Sequence, residues 1–268
     1  MAFIERNVNG VVFMTSSLIG APHAFTTRLG GVSEGVFSSL DLGENRGDRE
    51  EDVRENYRRL CEACGFYVNR LVFSRQIHED TVRYVTASDV HELFSPVPYD
   101  ADGLITDEKD LTLTIFTADC VPVLLWDGKK NVVSAVHAGW RGTAAGIVRK
   151  AVFSMKERFG SREADIFAAV GPSIGQCCFE TDGDVPEAMR EVLGKTADDF
   201  ITRKGEKYHI DLKGANARLL RISGLPEGNI DVSDECTMCL HEKYWSHRYT
   251  KGIRGSMGSF IMLEGKTT

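Results

Sequence analysis

Apolar positions along this chain fall mostly into short blocks rather than long helical stripes. The blocks at 11–14, 23–27, 71–74, 81–85, 103–106, 111–116, 122–126, 132–137 and 166–170 predict strands, and GSFIML at 258–263 predicts a closing strand. Helical signals are fewer. DREEDVRENYRRLCEACG has an acidic first turn, a basic later part and a terminal Gly65, which predicts a helix capped by Asp48. Further helices are predicted over 143–159, 184–194 and 211–223, with Pro226 just beyond the last. Many strands interleaved with few helices predict a mixed α+β fold in which helices cover a large sheet system. Residues 29–47, LGGVSEGVFSSLDLGENRG, form a Gly- and Ser-rich loop long enough to carry function. No repeat or linker-like composition shift divides the chain, so one domain over 1–268 is expected.

Composition narrows the class. The 268 residues are 42% hydrophobic and 26% charged, ordinary values for a soluble protein with a substantial core. A net charge of −7 argues against a nucleic-acid partner, which selects a basic excess. No apolar run reaches the roughly 18 residues of a membrane span, and the N-terminus lacks a signal-peptide core, so a cytoplasmic protein is expected. Seven cysteines, an odd number without disulfide-scaffold spacing, agree with that compartment.

Three soft-metal ligands lie beside apolar blocks. His78 follows the 71–74 strand in LVFSRQIHEDTV, Cys120 separates two blocks in TIFTADCVPVLLWD, and His137 ends VVSAV. Each stands at a junction of strand and turn, where scaffolds commonly present functional groups. Two imidazoles and a thiolate with an open fourth position suit catalytic zinc. With a weak axial thioether the same set would be a copper electron-transfer site, but no methionine lies within ten residues of any of the three. Singly, each is more often a packed or hydrogen-bonded residue, since a lone cysteine in an apolar block behaves as a small hydrophobe.

Other cysteines carry weaker signals. Cys236 and Cys239 form CTMC, with His241 and His247 nearby, but a structural zinc site needs a second ligand pair. Cys177 and Cys178 are adjacent, which disfavours a mutual disulfide and makes packing the default. Cys61 and Cys64 are expected to face the core from the first helix.

The segments FTTRLGGVSEGVFSSLDLGENRGD, RQIH, ADGLIT, TADCVPVLLWD, AVHAGWRGTAAGI, GPSIGQCCFE, DLKGANARLL and CTMCLHEKYWSHR span nearly the whole chain. Through them the sequence resembles the YfiH-like family, also called the laccase-domain or multicopper polyphenol oxidoreductase family and peptidoglycan editing factor. TADCVPVLL and HAGWRGT carry most of the specificity. The resemblance implies two packed mixed sheets flanked by helices in four layers, α/β/β/α. It implies zinc, with copper as the alternative, held by His78, Cys120 and His137. It also implies phosphorolysis of adenosine, guanosine, inosine or methylthioadenosine, together with deamination of adenosine. One departure stands out: Glu79 occupies a position where the family commonly has Gly after the first His.

Roles for further residues follow from that chemistry. Asp119 or Glu79 could relay protons during deamination. Arg28, Arg46 and Arg141 are the candidate phosphate ligands, because guanidinium groups bind phosphate bidentately, and the start of the 143–159 helix adds free N–H groups. Purine nucleosides and phosphate are the expected partners, for a monomer or small homo-oligomer. Competing readings are a copper-dependent polyphenol oxidase, and a hydrolase acting on peptidoglycan precursors with Cys120 as nucleophile and His78 or His137 as base. A structural metal site in a non-enzymatic protein of cell division or envelope assembly is a further one.

Overall fold

Blocks that read as largely apolar runs, such as those of β8 and β9, end up buried within a sheet, while the polar β1 lies at a sheet edge. The computed structural model describes residues 3–265. In chain order the strands are β1 (Phe3–Val8), β2 (Val11–Ser16), β3 (His23–Thr26), β4 (Leu71–Val72), β5 (Val82–Tyr84), β6 (Gly103–Thr106), β7 (Thr112–Thr117), β8 (Val121–Asp127), β9 (Val132–Ala138), β10 (Phe167–Val170), β11 (Glu180–Thr181), β12 (Ile201–Lys204), β13 (Lys207–Ile210), β14 (Ile230–Val232) and β15 (Met257–Met262). The helices are α1 (Glu50–Cys64), α2 (Trp140–Ala144), α3 (Ile147–Phe159), α4 (Asp184–Leu193), α5 (Leu212–Ile222) and α6 (His247–Thr250).

Two six-stranded sheets, ordered β1-β2-β3-β15-β7-β4 and β14-β10-β8-β9-β6-β5, form the centre, and β11-β13-β12 make a small third sheet. Most pairings are antiparallel, while β4–β7, β5–β6 and β10–β14 are parallel, so both large sheets are mixed. Three apolar cores separate the layers. Val53, Tyr57 and Leu60 of α1 pack on Val11, Phe13 and Phe260 of the first sheet. Phe25, Ile115 and Ile261 meet Leu124 and Ala135 between the two sheets. Ile147, Val148, Met155, Leu219 and Leu220 of α3 and α5 cover Leu125, Val136 and Ala168 of the second sheet. Burying each such side chain stabilises the fold by about 1.5–3 kcal/mol. The α/β/β/α layering expected from the sequence is the observed one.

Several local expectations are corrected. Arg49, not Asp48, occupies the N-cap of α1, and the Asp48 carboxylate accepts instead from the Arg49 N–H at 2.8 Å and the Ser33 hydroxyl at 2.5 Å. Gly65 ends α1 in the left-handed conformation as expected. The helix expected over 143–159 starts earlier and is broken. Chain direction changes at Gly146 (φ 73°), which separates α2 from α3. The 71–74 strand pairs only over Leu71–Val72. Sequence reasoning missed β1, although Asn9 (φ 53°) and Gly10 (φ 87°) form the Asn-Gly turn that marks a hairpin. It also missed the β12–β13 hairpin turning at Gly205 (φ 63°).

Candidate active site

The chain crosses from the first large sheet to the second between β7 and β8, through Ala118, Asp119 and Cys120. His78 follows β4 of the first sheet, and His137 lies near the end of β9 in the second. Packing of the two sheets therefore brings three residues distant in sequence to one point. One nitrogen from each imidazole and the Cys120 sulfur lie within 4.8 Å of one another. Cys120 Sγ is 3.9 Å from His78 Nε2, and the two imidazoles stand edge-on at 4.9 Å between centroids.

Asp102, just before β6, organises the cluster. Its fully buried carboxylate accepts from the backbone N–H groups of Ile77 (3.1 Å), His78 (3.0 Å) and Glu79 (2.9 Å). It also accepts from His137 Nδ1 at 2.8 Å, which leaves Nε2 as the free nitrogen of that ring. This is the carboxylate–histidine pairing that orients metal-ligating imidazoles. The same N–H cradle holds the turn in which His78 takes φ 62° and which continues into Glu79. The Glu79 side chain is exposed there.

Electrostatics follow from this packing. Burial alone would raise the Cys120 thiol, but the His137 and His78 imidazoles outweigh it and bring it down to about 6. Burial would lower His137, but the Cys120 thiolate and the Asp102 carboxylate outweigh it and push it up to about 9. Burial also opposes ionisation of Asp102, yet His137 and the Glu79 and Ile77 N–H groups hold it below the usual carboxylate range. The donor set fits a zinc ion. Zinc–nitrogen and zinc–sulfur bonds of about 2.0–2.3 Å put tetrahedral donors roughly 3.3–3.8 Å apart. Gly139 leaves room for this, since a Cβ there would lie 3.2 Å from His78 Cδ2 and 3.3 Å from Cys120 Sγ.

The cluster faces a cavity of about 590 Å³, within the range of small-molecule sites of roughly 300–1,000 Å³. Phe116, Trp140 and Phe179 give it aromatic walls, and Arg46, Arg248 and Arg254 give it cations. Arg254 Nη1 donates to the Gly255 carbonyl and to Ser256 Oγ, while its buried Nε has no partner among the described residues. Burial and then the neighbouring Arg46 charge lower the Arg254 pKa, against the opposing pull of Asp119, Cys120 and Asp41.

The remaining sequence candidates divide. Asp119 lines the cavity with φ 86°, and donors take up both its carboxylate oxygens: Thr237 Oγ1 (2.6 Å), Ser246 Oγ (3.1 Å) and the Arg248 N–H (2.7 Å). Arg46 reaches the cavity. Arg28 does not. Its guanidinium donates to the carbonyls of Ser38 and His241 and stacks 3.8 Å over Trp245, so it braces loops. Arg141 points outward and lies 4.3 Å over Trp140. The expected anion-friendly helix start at 143 is absent too, because the Thr143 N–H already bonds to the Gly139 carbonyl. Sequence reasoning missed Asp102, Arg254 and Arg248, and set His247 beside CTMC rather than at the cavity. ADGLIT and the SHR of CTMCLHEKYWSHR held Asp102 and Arg248 in segments already singled out, but Arg254 carried no signal.

A four-layer α/β/β/α fold with a His–Cys–His cluster at the crossing between its sheets defines a distinct class of protein. A family model described as multi-copper polyphenol oxidoreductase laccase matches residues 22–264, and the chain belongs to this YfiH/laccase-like family. It is 38% identical over 247 residues to the purine nucleoside phosphorylase YlmD of Geobacillus stearothermophilus, covering 90% of each chain. It is 37% identical over 255 residues to a purine nucleoside phosphorylase of Bacteroides thetaiotaomicron, covering 92% of this chain and 93% of that one. The crystal structure of Geobacillus stearothermophilus YlmD superposes with a TM-score of 0.92 at 35% identity, over 97% of this chain and 98% of that one.

Proposed function

We propose that the protein is a zinc-dependent purine nucleoside phosphorylase, acting on adenosine, guanosine, inosine and methylthioadenosine, that also deaminates adenosine. The observation that carries this reading is the meeting, in one cavity, of the His78–Cys120–His137 triangle with the Arg46–Arg254 pair. The names of the relatives point the same way.

His78, Cys120 and His137 hold the metal, and Asp102 fixes the turn of the first and the ring of the last. Zinc in such a three-ligand site supplies Lewis acidity to an oxygen in its open position, and lowers the pKa of water there to about 7. Phe116, Trp140 and Phe179 bury the purine. Phosphate sits against Arg46 and Arg254, where it would satisfy the buried Arg254 Nε. In phosphorolysis a phosphate oxygen bonds to C1′ as the bond from C1′ to the base breaks, and the base leaves with the electron pair. In deamination water adds at C6 and ammonia leaves. Asp119 acts mainly by pinning the wall that carries Arg248 and His247.

The donor count disfavours a multicopper oxidase, which needs many more histidines than the two in this cluster, in a chain with seven altogether. The described cysteines are all free thiols, which favours a reducing, cytoplasmic setting. Among the described residues no helix is long and apolar enough to cross a membrane.

The test is incubation of the purified protein with adenosine, with and without inorganic phosphate, and identification of the products. Adenine and ribose 1-phosphate are expected only with phosphate, and inosine in both cases. Neither product in either arm overturns the reading. Arg46→Ala is expected to raise the KM for phosphate by about 10–100-fold, the equivalent of one charged hydrogen bond, while sparing deamination. Equal losses in both reactions remove Arg46 from phosphate binding.

A further inference from the structure

The fold gathers a second donor set that takes no part in the cavity chemistry. Cys177 and Cys178 lie in the turn after β10, and Cys236 and Cys239 in the turn after β14. The parallel β10–β14 pairing continues through a bridge between Ser173 and Cys236, which carries both turns to one place. All four sulfurs lie within 4.8 Å of one another. Cys239 Sγ is 3.6 Å from Cys177 Sγ and 3.4 Å from Cys178 Sγ. We propose that Cys177, Cys178, Cys236 and Cys239 form a second metal site, a tetrathiolate that binds one zinc ion and clasps the two turns together.

Four observations carry it. Sulfurs on a zinc tetrahedron with bonds of about 2.3 Å are about 3.8 Å apart, which the observed spacing approaches. A disulfide needs about 2.05 Å, and all four residues are free thiols. Backbone N–H groups of Gly175 and Cys239 point at Cys236 Sγ, the former at 3.1 Å, as donors to a thiolate do. Gly175 permits that approach, because a Cβ there would lie 3.2 Å from both Cys177 Sγ and Cys236 Cβ. Cys236-Thr-Met-Cys239 is the short-spaced pair common in structural zinc sites, and Cys177–Cys178 supplies the second pair.

Binding releases the four thiol protons and leaves a net charge of −2 on the metal and its ligands. The buried Lys213 ammonium, which donates to the Glu235 carbonyl at 2.8 Å, faces Cys236 and Cys177 and offsets part of it. The four-coordinate set has no open position, so its role is structural. The clasped turns lead directly into Phe179 on one side and, through Thr237, to Asp119 on the other.

The inference stands apart from the nucleoside reading, and its test counts metal rather than turnover. Zinc is measured in the full-length protein as purified without added copper. Two ions per chain are expected in the wild type, one in Cys120→Ala, one in Cys236→Ser/Cys239→Ser, and none in the combined variant. One ion in the wild type, unchanged by Cys236→Ser/Cys239→Ser, overturns the proposal. If that double variant does not fold, cobalt loading of Cys120→Ala decides. An intense thiolate-to-cobalt charge-transfer band supports the tetrathiolate, and its absence, or a disulfide among the four in the purified protein, overturns it.

Discussion

The two cysteine-bearing clusters differ in what holds them. His78, Cys120 and His137 are fixed from outside by Asp102, whose carboxylate binds one ligand ring and the turn of another. Among the described residues no carboxylate hydrogen-bonds the four-cysteine cluster. It sits on two turns, with Cys177 and Cys239 exposed, and backbone N–H groups are its main support. One cluster is a preformed triangle with an open side toward a cavity. The other, as proposed, would become a rigid unit through its metal. On the proposed reading the two sets of soft donors in one chain would serve different ends, with rigidity preceding the metal in one and supplied by it in the other.

Variants can break or sharpen this contrast. The largest effect is expected from Cys120→Ala, which should reduce phosphorolysis and deamination to background while moving the Tm by no more than about 4 °C, the equivalent of roughly 1 kcal/mol at this chain length. Full activity with the metal lost would sink the catalytic role of the triangle. Next, Cys236→Ser/Cys239→Ser should lower the Tm by roughly 5–10 °C, about 2–4 kcal/mol, and leave measurable turnover. An unchanged Tm with abolished turnover would reverse the assignment of the two clusters. Asp102→Asn keeps the shape of the side chain but removes its charge. It should weaken zinc at the triangle by about 10–100-fold and leave the four-cysteine site fully loaded, as competition with a chromophoric chelator would show.

The smallest effect separates the clusters by pH in metal-stripped protein. Cys120 is brought down to about 6, so its alkylation should rise with a midpoint near that pH. Because the folded value lies below an unfolded value of about 8.5, the thiolate stabilises the fold above the latter and loses this effect as pH falls through the former. Cys177, exposed as a residue, has its thiol pushed up to about 11 by desolvation at the sulfur and then by Cys239, and should resist alkylation until far more alkaline conditions. Matching profiles for the two residues would remove the electrostatic distinction.

Much of this was legible in the chain, for reasons that differ by element. Strands such as β8 and β9 are apolar at most positions and buried at nearly all, and burial on both faces writes itself into sequence. Strand β1 is a solvent-facing edge, so FIERNV shows little apolar signal, and only its Asn-Gly turn betrays it. The break at Gly146 was hidden because the small residues before it and the apolar ones after it suit a continuous helix as well as an interrupted one. His78, Cys120 and His137 were found because imidazole and thiolate at strand ends are chemically conspicuous. Asp102 was not, since one carboxylate before a strand looks like any other until packing buries it. Arg28 was misplaced for the opposite reason. A loop arginine in a Gly-rich segment looks free, but three backbone hydrogen bonds occupy it. Cys177–Cys178 and CTMC were each seen alone, and only the register of β14 on β10 shows that they complete one another.

Asp119 gives the molecule a property that neither cluster has alone. It precedes Cys120 in the chain, its carbonyl accepts from the Ile174 N–H next to Gly175, and its carboxylate accepts from Thr237, which follows Cys236. If loading one proposed site tightens the other through this residue, linkage requires the second to tighten the first by the same factor. With both proposed sites loaded, Asp119 would make the coupling between them reciprocal. Zinc titrations of wild type and of Asp119→Asn are expected to show cooperative filling in the first and independent filling in the second. Scarcity of metal would then divide a population into full and empty molecules, with few half-loaded ones between.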